Sequence, residues 1–424
     1  MKEHTFNAVV RESDLQRIRA AEPGCLQAGY ADERPAEDVV RLSLDSFERL
    51  VGGGRPCAFV NGDAAEDCVR APSASRWRYV VCTSDDGVTV RRSDGLVTEE
   101  AERVFVIPSR ERAYDCADGY LMGPDFAEKS VCVIGLGSFG ADVIAHLAAG
   151  GVGRFELWDG DRIEPSNCNR HRAGLSDVGR LKTLFCRDLI LNKNPNAEII
   201  CHSRNVSGGR DEELEETVRR TDIVITCSDS RASRLAVNEV VVRARKPTLY
   251  SRAMSRLEGG EIFRYRSDGA CYGCFNRNAP FGSERDALDS IAIARREGRI
   301  PAYTEIRDAG RPVIAGISAL IAPITAMTAN LALMELGKDV NETYRKMADE
   351  YGRYDWFLYV NHRERLFGEF RPFYDAAEGM TVSRWYAASV GRDTNCLICG
   401  QTDGLDFGEV SFDFSGLRND LQSP

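Results

Sequence analysis

Gly135-Leu136-Gly137-Ser138-Phe139-Gly140 lies between an apolar run, Ser130–Gly135, and a helical pattern that reaches about Gly150. A glycine loop in that position constrains the fold more than any other feature of the chain. Gly135 allows a tight turn, Gly137 lets backbone approach a phosphate, and Gly140 lets helix and strand pack closely. The helix N-terminus then faces the anion. Downstream, strand and helix patterns alternate: strand Phe155–Trp158, helix Leu181–Leu191, strand Glu198–Ser203, helix Asp211–Arg220, strand Asp222–Thr226, helix Arg231–Ala244 and strand Thr248–Ser251. That order predicts an α/β fold, Rossmann-like and doubly wound around a mostly parallel sheet. Trp356–Val360 and Leu366–Phe373 read as a hairpin, so antiparallel strands are expected at the C-terminal side.

Asp159 ends the second strand, 19 positions past Gly140. An acid there accepts ribose hydroxyls. Loop and acid together suit an NAD-dependent oxidoreductase as well as an ATP enzyme. The next segment separates the two. Asp159-Gly160-Asp161 is followed by Ser166-Asn167-Cys168-Asn169-Arg170, then by Lys182 and by Asp229 after a later strand. The pyrophosphate of NAD is held by the loop alone. Cleavage of ATP between its α and β phosphates calls for fixed cations and an acid for Mg²⁺. A dehydrogenase also needs a hydride-relay residue in the second half. None of His4, His146, His171, His202 and His362 suits that role.

From about Asp118 to Gly400 the chain resembles the ubiquitin-activating superfamily, closest to the ThiF/MoeB-type adenylyltransferases of thiamine and molybdopterin biosynthesis. The shared pattern is the glycine loop, D-x-D, S-N-x-x-R, a lysine on the next helix and an aspartate after a later strand. All stand here in order, with Cys168 where the family usually has leucine. The resemblance implies Gly135, Gly137 and Gly140 around ATP, with Asp159 on the ribose and Asp161 beside it. It implies Asn167, Arg170 and Lys182 on the phosphates, Asp229 on Mg²⁺, and Arg170, Lys182 and Asp229 as the catalytic set. The implied reaction is adenylation of the C-terminal glycine carboxylate of a ubiquitin-like or sulfur-carrier protein. A homodimer is implied as well, with Arg110 or Arg112 reaching the partner's ATP. A ubiquitin-conjugating-like enzyme is a further expected partner. A peptide-tailoring adenylase that recognises a leader peptide is the alternative within the class.

The 14 cysteines divide unevenly. Cys271-Tyr272-Gly273-Cys274 and Cys396-Leu397-Ile398-Cys399 are two C-x-x-C knuckles separated by 121 residues. Two such knuckles make a closed tetrahedral site, so Cys271, Cys274, Cys396 and Cys399 are expected to hold a structural Zn²⁺. A redox C-x-x-C would open a helix in a thioredoxin-like unit instead. Family members that form a thioester carry a nucleophilic cysteine after the first knuckle. Here Phe275 to Asn395 contains none. The expectation is an enzyme that adenylates and leaves the thiol to others.

Net charge is −10, without the basic footprint that duplex nucleic acid requires. Val313 to Met334 is 22 residues free of charge, long enough to span a bilayer. It contains Ser318, Pro323, Thr325, Thr328 and Asn330, and reads as a buried helix rather than a membrane span. No apolar leader is visible at the start, and a reducing cytoplasm is the expected location. The expected division is 1–118 as a small α+β accessory domain, 119–400 as an ATP-binding adenylation domain and 401–424 as an acidic, mobile tail. Within the first, Asp38–Val51 reads as an amphipathic helix and Arg78–Thr83 and Gly87–Arg92 as strands. Pro108–Lys129 reads as a linker.

Overall fold

Asn7–Arg11 alternates half-buried and fully buried residues, the period of a strand with one face on a core. The computed structural model describes residues 6–34, 38–44, 55–62, 77–84, 87–93, 97–109, 112, 124–206, 211–253, 259–278, 318–361 and 383–400. The chain divides into two units, 1–116 and 117–424.

The first unit runs β1 (Asn7–Arg11), α1 (Glu12–Arg19), β2 (Leu26–Arg34), β3 (Val39–Ser43), β4 (Arg55–Asn61), β5 (Tyr79–Ser84), β6 (Gly87–Ser93), β7 (Thr98–Glu100) and β8 (Arg103–Ile107). These form one mixed sheet in the order β7-β6-β5-β4-β2-β3-β1-β8. Phe6, Val10, Leu15, Ile18, Leu42 and Phe59 pack its core. The helix expected over Asp38–Val51 is corrected here. Its first part is strand β3, and residues 45–54 lie outside the described residues. Val40 and Leu42 point inward with period two, and pairing with β1 and β2 satisfies the backbone. Local periodicity over so few residues does not separate the two structures.

In the second unit, β9 (Ser130–Ile134) is buried at every position, as a central parallel strand covered on both faces must be. It leads to α2 (Ser138–Ala149), β10 (Arg154–Trp158), α3 (Lys182–Leu191), β11 (Glu198–His202), α4 (Glu212–Arg220), β12 (Ile223–Thr226), α5 (Arg231–Arg243), β13 (Thr248–Ala253) and β14 (Gly259–Tyr265). Then come α6 (Tyr272–Asn278), α7 (Ser318–Gly337), α8 (Glu342–Tyr351), β15 (Trp356–Asn361) and β16 (Ser383–Ala388). Sheet order is β11-β10-β9-β12-β13-β14-β15-β16. The first five strands are parallel and the last three antiparallel. From β9 the chain builds outward through β10 and β11, then returns to β12 on the other side. The switch point thus lies between β9 and β12, where open α/β sheets hold their ligands.

The strand paired with β15 is Ser383–Ala388. Leu366–Phe373, expected in that place, lies outside the described residues. The end of the expected linker is not spacer. Pro124–Glu128 is a 3-10 turn whose Phe126 is buried against Tyr344, ring centroids 5.3 Å apart. Helix α7 is long and apolar enough to cross a membrane by length and composition. It packs here against α2, β13 and β14, burying Ile324, Leu331, Ala332 and Met334. Ser251 and Thr328 share a buried hydroxyl hydrogen bond of 2.8 Å, and Thr325 donates to buried Asp142, so these two buried threonines are satisfied inside the fold. The acidic segment 401–424 lies outside the described residues.

Candidate functional site

Gly135 adopts φ +87°, and a Cβ there would stand 2.6 Å from the Ser228 nitrogen. The glycine loop and the β12–α5 loop therefore touch, and only glycine permits both the turn and the approach. Gly140 would place a Cβ 2.0 Å from the Gly135 carbonyl oxygen. Gly137 differs: nothing among the described residues lies within 4 Å of a Cβ position, and it is the N-cap of α2 with no side-chain cap. The first turn of α2 thus opens onto free space, as a phosphate seat requires.

Buried Asp159 ties this end of the sheet together. One carboxylate oxygen accepts the Leu136 N–H at 2.7 Å and the other the Asp161 N–H at 2.8 Å. Lys182 lies 3.7 Å from Asp159 and 2.8 Å from Asp161, whose side chain is 60% exposed. Burial pushes the Asp159 carboxyl above its ordinary value, against the pull of Lys182 and the two N–H donors. Burial opposes the charge on Lys182 too, but Asp159, Asp161 and Asp229 outweigh it and hold the ammonium above its usual range. Asp229 is itself exposed at the end of β12. Asp159, Asp161, Lys182 and Asp229 therefore share one electrostatic neighbourhood at the mouth of the glycine loop.

Asn167 and Arg170 sit on the turn that follows D-x-D. The Asn167 carboxamide oxygen accepts the Glu164 N–H at 3.1 Å and caps the turn. The Arg170 guanidinium donates to the Ser166 carbonyl at 2.8 Å. Both are half-buried and bonded within their own segment. Arg110 lies outside the described residues, and Arg112 pairs with Glu12 at 3.1 Å inside the first unit.

His171 was not singled out by sequence. Its Nε2–H donates to the Leu136 carbonyl at 2.9 Å, which leaves Nδ1 to accept the Ala173 N–H at 3.0 Å. The ring braces the glycine loop from behind. Burial holds it below the ordinary 6.5. The unfolded chain therefore binds this proton first as pH falls. Stability is full above about 6.5 and is lost as pH drops from there towards the folded value. The melting temperature of the wild type is expected to fall more steeply between about pH 7 and 5 than that of His171→Gln. Parallel curves would remove His171 from this role.

The four knuckle cysteines are buried, and their sulfurs lie within 4.8 Å of one another. Cys271–Cys396, Cys274–Cys399 and Cys271–Cys274 separations are 3.6, 3.3 and 3.9 Å. A tetrahedral ion with Zn–S of about 2.3 Å sets sulfurs about 3.8 Å apart. The Asn238 amide donates to Cys271 and the Asp393 N–H to Cys274, at 3.6 and 3.4 Å, the outer-shell bonds that thiolate ligands require. The cluster fits a closed four-sulfur metal site, and zinc is the ion its chemistry suits.

The model of the ThiF family matches residues 124–362. The chain belongs to the ThiF family. It is thus a member of the ubiquitin-activating-like adenylyltransferase superfamily, and that membership implies ATP rather than a dinucleotide. The adenylyltransferase and sulfurtransferase MOCS3 of Drosophila willistoni is 33% identical over 193 residues, 43% of this chain and 42% of that protein. The adenylyltransferase and sulfurtransferase UBA4 of Kluyveromyces lactis is 29% identical over 175 residues, 40% and 38% of the two chains. The chain spans less than half the length of these curated relatives. Among solved structures, E. coli MccB aligns over 66% of this chain and 67% of its own, with 18% identity and a TM-score of 0.46.

Proposed function

We propose that this ThiF-family chain adenylates the C-terminal glycine carboxylate of a ubiquitin-like or sulfur-carrier protein, using ATP and Mg²⁺. The observation that carries the reading is the convergence of Lys182 with Asp159, Asp161 and Asp229 on an open glycine loop at the switch point of the sheet. A carboxylate oxygen attacks the α-phosphorus, the bond to the β-phosphate breaks, and pyrophosphate leaves with an acyl-adenylate behind. Little covalent work falls to the protein, which positions the reactants and offsets charge. The N-terminal turn of α2 receives phosphate oxygens, Arg170 and Lys182 supply cations, and Asn167 steadies the turn that carries Arg170. Asp161 and Asp229 are the carboxylates that would hold Mg²⁺, which lends positive charge to the departing phosphates.

The acyl-adenylate would then pass to a sulfur nucleophile on another protein, since Phe275 to Asn395 holds no cysteine. Residues 1–116 would dock that carrier or a conjugating enzyme. The test is ATP–pyrophosphate exchange. Exchange is expected to depend on an added Gly-ending carrier, and Asp229→Ala is expected to lower it by about a hundredfold or more. Exchange that ignores the carrier, or persists in Asp229→Ala, would sink the proposal.

A further inference from the structure

Asp142 stands on the second turn of α2, the helix whose first turn opens onto the phosphate seat. It is 8% exposed, a depth at which a carboxylate needs partners. Separate parts of the chain supply them. Nε and Nη2 of Arg172 both meet Oδ1, and the Thr325 hydroxyl of α7 donates to Oδ2. His146, one turn further along α2, stands 3.8 Å from Oδ2. Removing the charged partner of a buried carboxylate is costly, so Arg172 is firmly attached although its own side chain is half exposed.

Arg172 lies two residues beyond Arg170. The chain between them is fixed from the other side as well. The Arg170 and His171 N–H groups donate to the Asn167 carbonyl at 3.0 and 2.8 Å, and the His171 ring is bonded to the Leu136 carbonyl. Arg172 adds a tie to α2 itself. The two halves of the phosphate site come from different stretches of chain, the amide groups of α2 and the cation of Arg170. Arg172 and Asp142 join these stretches. Spacing matters in such a site, because misplacing a binding group by about an ångström can cost about a hundredfold.

We infer that Arg172 is a positioning residue: clamped to Asp142, it holds the turn that carries Arg170 against α2 and so sets the spacing between Arg170 and the phosphate seat. The inference rests on the phosphate role given to Arg170 in the proposed function. Charge alone makes the opposite prediction. Neutralising an acid near an anionic nucleotide should tighten binding by relieving repulsion. Neutralising the acid of a clamp should weaken it.

The test measures by calorimetry the affinity of the full chain for a non-hydrolysable ATP analogue with Mg²⁺. Asp142→Asn and Arg172→Met are each expected to weaken binding by about fivefold or more. Arg172→Lys keeps the charge but loses the paired nitrogens, and should fall between wild type and Arg172→Met. In an Arg170→Ala background the same changes should matter by less than about twofold, because the group being positioned is gone. Circular dichroism melts report whether each variant is folded. If Asp142→Asn is not, Arg172→Met in the two backgrounds decides, since Arg172 is exposed. Unchanged or tighter binding by folded Asp142→Asn, or losses that persist in full without Arg170, overturns the assignment. So does an Arg170→Ala protein that binds the analogue as wild type does. Losses coupled to Arg170, in a protein without pyrophosphate exchange, uphold the clamp and remove only the adenylation reading.

Discussion

Cys396→Ser is expected to strip the metal from the α/β unit and to unfold it near ordinary growth temperatures. Three of the sulfur–sulfur edges are 3.3–3.9 Å, the sulfurs lie in a buried apolar layer, and the Asn238 amide and Asp393 N–H donate to Cys271 and Cys274. Serine supplies an oxygen that zinc holds poorly, and three thiolates then face an incomplete shell. Structural zinc contributes about 10–16 kcal/mol in small zinc domains, as much as or more than the whole stability of a typical domain. Only part of that need be lost for the unit to fail. The expected result is zinc falling from about one per chain to below about a tenth, with a melting temperature lower by about 10 °C or more. Cys186→Ser is the control. Cys186 is fully buried on the inner face of α3, and burial raises its thiol well above the ordinary value, so it behaves as a small apolar side chain. That variant should lose about 1–2 kcal/mol and keep its zinc. A Cys396→Ser protein with wild-type zinc and stability would show that the cluster is not a metal site.

The second large effect contrasts two glycines three residues apart. Gly140→Ala puts a methyl group 2.0 Å from the Gly135 carbonyl oxygen and 3.0 Å from its carbon. Both are backbone atoms, so α2 must lift away from the end of β9. Displacing that packed junction is expected to cost about 3 kcal/mol or more, and circular dichroism melts should show it. Gly137→Ala meets nothing within 4 Å among the described residues, at an N-cap where φ is −69°. Losing glycine as a cap costs about 1 kcal/mol at most, so the protein should stay folded. Its new methyl group occupies the space over the first turn of α2, and ATP affinity measured by calorimetry should drop by about thirtyfold or more. Unchanged ATP binding in Gly137→Ala would place the phosphates elsewhere.

These contrasts show what a sequence can disclose about this molecule. The glycine loop and the knuckles are local patterns whose geometry follows from spacing, so Gly135, Gly140 and the four cysteines could be read directly. Asp159 could be placed at a strand end. Its engagement with Leu136 and Asp161 could not, because that depends on two loops meeting in space. His171 carries no local mark. It matters through a partner brought by the fold, the Leu136 carbonyl 35 positions away. The misread stretch at Asp38–Val51 failed for a related reason. Val39–Ser43 satisfies its backbone with two strands, and pairing of that kind leaves no trace in a short window of sequence.

The knuckles have a mechanical consequence. Cys271 and Cys274 stand just after β14, Cys396 and Cys399 just after β16, and a metal held by the four would join them across 121 intervening residues. Tension applied to the chain beyond Gly400 would therefore not travel back through β16, β15, α8 and α7 in turn. It would cross the four sulfurs and enter the fold beside β14. The intervening elements would stay unloaded until the metal–sulfur bonds gave way. An ATP-driven unfoldase pulling from that side would meet its greatest resistance at its first step, and metal occupancy would set how long the protein withstands it.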